Sequence, residues 1–160
     1  MIDLAAIVDA LRNAPNYNAG LGTSMLGMAW IERRKQMKKF ELTTETKIVF
    51  GKTLYRIKAL ISFYNVEAGE LGGWVEKEDN LSQDGDAWVF GNARVHGNAE
   101  VFGDAQVYGD AQVYGDARVF GNARVHGNAR VHGNARVHGN AQVYGDARVY
   151  GDARVYGDAR

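Results

Sequence analysis

From Gly85 onward, apolar and polar positions recur on a period of six: Gly-Asp/Asn-Ala-x-Val-aromatic. Twelve complete units run from Gly85 to Tyr156, and a thirteenth, Gly157-Asp158-Ala159-Arg160, stops part-way through. Successive side chains of a strand point to opposite faces, so Ala and Val share one face while x and the aromatic residue share the other. The Gly-Asp/Asn pair is turn chemistry, since both positions tolerate the left-handed backbone region. Each unit therefore predicts a short strand followed by a corner. A fixed short period marks a solenoid, and a hexapeptide period points to a parallel β-helix. Three units close one triangular coil, which gives four coils and a fragment.

The coil length makes a prediction about charge. Residues one coil apart stack at roughly 4.8 Å, and like charges held that closely repel. One corner column reads Asn92, Asp110, Asn128, Asp146, and a second reads Asn98, Asp116, Asn134, Asp152. Both alternate neutral and charged residues. The third, Asp104, Asn122, Asn140, Asp158, also separates its carboxylates, apart from Asp86 above it. Of the outward x columns, Trp88, Gln106, Arg124, Gln142, Arg160 spaces its charges. The columns Arg94, Gln112, Arg130, Arg148 and Glu100, Arg118, Arg136, Arg154 place arginine above arginine.

Upstream of the array the period changes. Leu4, Ile7, Val8 and Leu11 mark a helical face between Ile2 and Asn13. A second helix is expected from Thr23 to Lys38, with Met25, Met28 and Trp30 ahead of a basic run. Lys47–Phe50, Gly51-Lys52 and Thr53–Leu60 then read as a β-hairpin with a glycine turn. Leu71, Trp74, Val75, Leu81 and Trp88 are candidates to cover the first coil. The expected divisions are a helical extension over 1–36, a hairpin and capping segment over 37–78, and the β-helix over 79–160.

Composition narrows the function classes. The chain carries 19 basic and 19 acidic residues, so no net field attracts nucleic acid or anionic membrane. It has no cysteine, which excludes disulfides and thiolate metal sites. Asp3 and the lack of a basic leader argue against a secretory signal. The apolar-leaning run Leu21–Ile31 is too short to span a bilayer. The expected location is the cytoplasm.

The candidate residues lie on the outer surface of the coils. Tyr108, Tyr114, Arg124, Arg130, Arg136, Tyr144 and Arg148 are residue types enriched at binding hot spots. They are the expected interface or ligand residues. The four histidines, His96, His126, His132 and His138, all occupy the ordinary aromatic slot of the unit. His126, His132 and His138 point three ways around one coil, so they do not converge on a metal ion. Interleaved arginine and aromatic residues suggest nucleic acid, but the corner aspartates offset the charge. The basic run Arg33-Arg34-Lys35 with Lys38-Lys39 reads as a solvated helix end.

The segments TLYRIKALISF and AGELGGWVEKEDNLSQDGDAWVFGNARV, with the GNA/GDA array, resemble a group of hexapeptide-repeat proteins common in enterobacterial phages and prophages, the YdcK type. The resemblance covers about Met37 to the end, and Gly72-Gly73-Trp74 with Asn80-Leu81-Ser82 is its most diagnostic part. It implies a mainly β fold, a single-stranded left-handed parallel β-helix with a small N-terminal helical and hairpin segment. Proteins of this kind are catalogued as acyltransferase-like, by analogy with left-handed β-helix enzymes that use a histidine near an inserted loop and an acyl-CoA between subunits. Here His96, His126, His132 and His138 are the only residues such a role could fall on, as a base towards an acceptor hydroxyl or amine. The array from Gly85 contains no insertion.

Residues 1–36 fall outside the resemblance and read as an extension, a fusion or an upstream start. The end within a unit reads as truncation or as an edge for self-association. The combined expectation is a non-catalytic scaffold for protein–protein interaction or self-assembly, phage or prophage encoded, without cofactor or metal. Its expected partner is a second copy, as a trimer or end-to-end stack, or another protein. The alternatives are an acyltransferase using acetyl-CoA or another acyl-CoA, and a protein that sequesters a small anionic ligand at an oligomer seam.

Overall fold

Alternating apolar residues either side of a two-residue turn build the first element among the described residues. Strand β1 (Phe40–Val49) pairs antiparallel with β2 (Lys52–Ala59). Phe50 and Gly51 take φ of 50° and 73°, the double left-handed conformation that matches strand twist in a tight hairpin. The computed structural model describes residues 37–160, so the expected helices over 2–13 and 23–38 lie outside the described residues, except for Met37 and Lys38, which are irregular. β2 continues antiparallel onto β3 (Leu71–Val75), and a 3-10 turn at Glu78–Asn80 follows.

The repeat then forms as its period requires. Its strands are β4 (Trp88–Val89), β5 (Arg94–Val95), β6 (Glu100–Val101), β7 (Gln106–Val107), β8 (Gln112–Val113) and β9 (Arg118–Val119). They continue as β10 (Arg124–Val125), β11 (Arg130–Val131), β12 (Arg136–Val137), β13 (Gln142–Val143), β14 (Arg148–Val149) and β15 (Arg154–Val155). Every third strand pairs in parallel, giving three sheets: β1-β2-β3-β5-β8-β11-β14, β4-β7-β10-β13 and β6-β9-β12-β15. The result is a β-solenoid of about five turns with about 18 residues per coil. Alanine and valine of the units fill the interior, with Ala93 to Ala141 and Val89 to Val137 at 0–1% exposure, whereas Ala147 and Ala153 in the last coil are exposed.

Parallel pairing begins earlier than residue 79. Trp74 and Val75 pair with Arg94 and Val95, so β3 is already a rung of the stack. That pairing, and the bridge of Leu81 with Val101, follow a register two positions longer than the pairing of Val89 with Val107. The extra pair, Gln83 and Asp84, lies between Leu81 and Gly85. The register also decides what the capping candidates do. Val75 and Leu81 occupy the inward valine phase and join the core. Trp74 occupies the outward x phase, with Lys47 Nζ 4.2 Å from its ring centroid. Leu71, at the start of β3, is 44% exposed. Trp88 also sits in the x phase but is fully buried, because Phe40 and Phe63 cover it edge-on at 6.1 and 5.3 Å. Gly72 and Gly73 lie beneath this cluster, where a Cβ would come within 2.6 Å of Val89 O and 2.7 Å of Ala93 O respectively.

Every coil needs donors for the carbonyls that face the N-terminal end. Within the array these are amides of the preceding coil, such as Arg94 N–H to Ala111 O at 2.9 Å and Gln112 N–H to Ala129 O at 2.9 Å. The first regular coil has no earlier repeat, and three different groups replace it. On one side the amides of Trp74 and Glu76 donate to Ala93 O and Val95 O at 3.0 and 3.1 Å. On the second, Asn80 Nδ2 donates to Gly97 O and Ala99 O at 3.0 and 2.9 Å. On the third, Lys39 Nζ donates to Gly85 O and Ala87 O at 3.2 and 2.8 Å. Lys39 is thus no solvated helix end: it is 2% exposed, beside the Phe63 ring. Burial lowers its pKa from 10.5 to about 8, against the opposing pull of Asp86, Asp84 and Asp104.

Two measurements check this arrangement. Gly127 and Gly145 both have positive φ, but a Cβ on Gly127 meets Gly145 N at 2.9 Å while one on Gly145 meets nothing within 4 Å. Alanine at either site is expected to cost about 1–2 kcal/mol of backbone strain, and Gly127→Ala to cost measurably more than Gly145→Ala in urea unfolding. Equal losses would contradict the close coil contact. For Lys39 the folded pKa lies below the unfolded one, so the unfolded chain holds more protons between about pH 8 and 10.5. Stability is expected to rise with pH across that window relative to Lys39→Met. Parallel stability curves for the two chains would contradict a buried, desolvated amine.

Candidate functional site: the arginine and aromatic columns

The coil register converts single positions of the unit into continuous columns. The aromatic slot forms three of them. One stacks Tyr108, His126 and Tyr144, with ring centroids 4.7 and 5.5 Å apart. A second stacks His96, Tyr114, His132 and Tyr150 at 5.1, 4.8 and 5.6 Å. The third stacks Phe102, Phe120, His138 and Tyr156 at 4.8, 4.8 and 5.5 Å. The rings lie nearly parallel, 2–12° apart. The imidazoles of His126, His132 and His138 are therefore each held between two rings and present only their edges to solvent.

The histidines do not gather into one site. His126, His132 and His138 belong to three different columns, each partly buried. Among the described residues no group of three or more His, Asp or Glu side chains is placed to hold a metal ion. His96 differs from the other three. Its slot in the unit is a surface position, yet it is 6% exposed, and its Nε2 has no hydrogen-bond partner. Glu76, just after β3, lies beside it and accepts a hydrogen bond from Gly97 N–H at 2.6 Å. Burial pushes the His96 pKa down, opposed by the Glu76 carboxylate. The same Gly97 hydrogen bond and the ion pair with Lys52 at 3.1 Å hold Glu76 below its ordinary pKa, against the cost of burial.

The corner column turns Asn/Asp alternation into hydrogen bonds. Asn98 Nδ2 donates to Asp116 Oδ1 at 3.1 Å, Asn128 to Asp146 at 3.1 Å and Asn134 to Asp152 at 3.0 Å. In the third column Asn122 donates to Asn140 and Asn140 to Asp158. An amide between carboxylates thus removes a like-charge contact and supplies a donor.

The arginine columns lack such compensation. Arg118, Arg136 and Arg154 occupy successive rungs of one sheet, in direct register. Among the described residues the column's one ion pair is Arg118 Nε with Glu100 Oε2 at 3.5 Å, and both side chains are about half exposed. Between this column and Asp116, Asn134 and Asp152 runs an open groove of about 330 Å³. The interface candidates named from sequence are dispersed: Arg130, Arg148 and Tyr114 share one sheet, Arg124, Tyr108 and Tyr144 a second, and Arg136 lies on the third. Sequence reading missed Arg118 and Arg154 as members of Arg136's site, although the arginine-over-arginine register was visible. It also missed Lys39, Asn80 and Gln83, whose roles arise only once the first coil's carbonyls are counted. Gln83 Oε1 accepts from Lys39 N–H at 2.7 Å, which ties the extra residues of that coil to the start of β1.

Two stretches of the array match a known family model. The family described as YdcK Beta solenoid repeat matches residues 111–127 and 141–157. The array is a β-solenoid, and the match is consistent with a YdcK-type repeat protein. No curated protein matches the chain. The matched stretches lie within the uninterrupted faces just described, and among the described residues no helix is long and apolar enough to cross a membrane.

His96 gives a test of the geometry around the first coil. A depressed folded pKa means that stability is lost as pH falls from the ordinary 6.5 through the folded value. His96→Tyr keeps the stacked slot and removes the titration, so its stability is expected to fall less than that of the parent between pH 7 and 5. Identical pH profiles in thermal unfolding would contradict the buried imidazole.

Proposed function

We propose that the protein is a non-catalytic β-solenoid scaffold for protein–protein interaction or self-assembly, phage or prophage encoded and cytoplasmic, with the left-handed coil that its resemblance implies. The observation that carries this reading is the column Arg118, Arg136, Arg154: guanidinium groups held one coil apart, on a face whose acidic partners lie across a groove rather than between them. Like charges stacked on adjacent strands are unfavourable in the isolated chain. A partner that places acceptors against them relieves that cost, and arginine is suited to bidentate pairing with carboxylates.

The aromatic columns support a protein partner over nucleic acid. Bases bind single-strand platforms by stacking on exposed ring faces. Here the ring faces within each column are spent on each other, and only the end rings Tyr144, Tyr150 and Tyr156 keep one face open. Tyr and Arg edges remain well suited to a protein surface. The stacking of His126, His132 and His138 between two rings each supports a role as part of the surface columns over that of a base.

The reading is tested by activity. The purified chain, incubated with acetyl-CoA and a panel of amine and hydroxyl acceptors, is expected to release no free thiol above background. Turnover that disappears in His132→Ala or His138→Ala would overturn the scaffold reading.

A further inference from the structure

We propose that the face carrying Arg118, Arg136 and Arg154 binds the same face of a second copy, side by side, about a two-fold axis parallel to the solenoid axis. This deepens the scaffold reading and rests on it, naming the partner and its orientation.

The face bears three parallel columns, of which the aromatic one, Phe102, Phe120, His138 and Tyr156, lies on the far side of the arginines from the corner. Arg118, Arg136 and Arg154 form the second, and Asp116, Asn134 and Asp152 form the third, with the groove between these two. Members of a pair such as Asp116 and Arg118 are two residues apart along the chain, from corner to strand, roughly 7 Å. A two-fold axis along the solenoid keeps coil levels and exchanges left with right. Each arginine column then meets the partner's corner column, Arg118 opposite Asp116, Arg136 opposite Asn134 and Arg154 opposite Asp152. A two-fold axis across the solenoid keeps left and right, and lays arginine on arginine. Charge layout therefore selects the parallel arrangement.

The acceptors are available. Asp116 and Asp152 each use Oδ1 for an asparagine amide from the coil above, at 3.1 and 3.0 Å. The second carboxylate oxygen of each is left for a guanidinium. Asn134 donates through Nδ2, so its oxygen can accept as well. At the top of the column Glu100 falls opposite Asn98, a neutral amide, so no level brings like charges together.

Pitch argues for a second copy above other acidic partners. Each site recurs at every coil, so a matching surface must repeat acceptors at the same spacing, and another copy of this stack does so by construction. With 19 basic and 19 acidic residues, the chain has no net charge to draw in a polyanion. This face also has the array's one run of arginines on successive rungs without glutamine between three of them, whereas β4-β7-β10-β13 interleaves glutamine and β5-β8-β11-β14 contains Gln112.

The experiment is a charge swap read by light scattering on the full chain. One variant carries Arg118→Glu, Arg136→Glu and Arg154→Glu, and the other carries Asp116→Lys and Asp152→Lys. Circular dichroism checks that each keeps its β signal. The parent is expected at twice the chain mass, each variant alone at the chain mass, and their equimolar mixture again at twice the mass. Spin labels on Glu100→Cys in the parent are expected at one coil level in both copies, with a separation shorter than the length of the array. A monomeric parent, dimeric single variants or labels at opposite ends of the assembly would overturn the proposal. A monomeric parent without acyl transfer would remove this pairing and leave the scaffold reading standing, whereas histidine-dependent turnover would remove that reading.

Discussion

The structure depends on one hydrogen-bond register, in which an outward amide donates to a carbonyl of the next coil and each coil sits on a copy of itself. Backbone groups buried between coils have no water to turn to, so this ladder must be complete along the array. Its consequence is that no residue acts singly. A valine becomes a core column, a tyrosine a ring stack and an aspartate a row of charge. Favourable choices are multiplied, and so are unfavourable ones. The Asn/Asp alternation at the corners is the response where repetition would stack carboxylates. Among the described residues the arginine run on the third face is answered only at its start, by the Glu100–Arg118 ion pair.

A ladder of this kind also needs a beginning. The first coil's carbonyls receive donors from a strand, an asparagine amide and a lysine amine, three unlike groups that meet the same geometric demand. Ordering the first coil this way gives later coils a template, which suits the nearest-neighbour character of solenoids. The strand solution extends one sheet into the hairpin. The lysine solution buries a cation whose burial opposes its charge, and nearby aspartates offset part of that cost. Glu76 serves the same region twice, binding the Gly97 amide and lying beside the buried His96.

How much of this was legible in the sequence depends on where the period holds. Inside the array, the inward Ala and Val, the three-strand coil and the paired asparagine and aspartate corners follow from a period of six and the alternation of strand side chains. The spread of His126, His132 and His138 over three columns follows too, since they are six apart. Near residue 80 the period fails. Trp74 and Trp88 both occupy outward positions yet both are buried, Trp88 under Phe40 and Phe63 and Trp74 under the Lys47 and Arg56 side chains. Lys39 reads as one more basic residue beside Lys38, because nothing local signals that its amine completes carbonyls 46 and 48 residues away. The arginine groove was half visible: the column could be written down, but its distance from the corner carboxylates could not.

For function, the same register turns a modest set of side chains into faces that repeat along an axis, which is a surface for assembly more readily than an enclosed site. That account stands on the capped, in-register coil stack. Residue-resolved amide hydrogen exchange tests it most directly. Outward amides in the coils beneath the cap, such as those of Arg94, His96 and Gln106, are expected to exchange slowly, and those of Arg148 and Arg154 in the last coil much faster. Equal exchange along the array, or fast exchange beside the cap, would contradict a stack organised from its capped end.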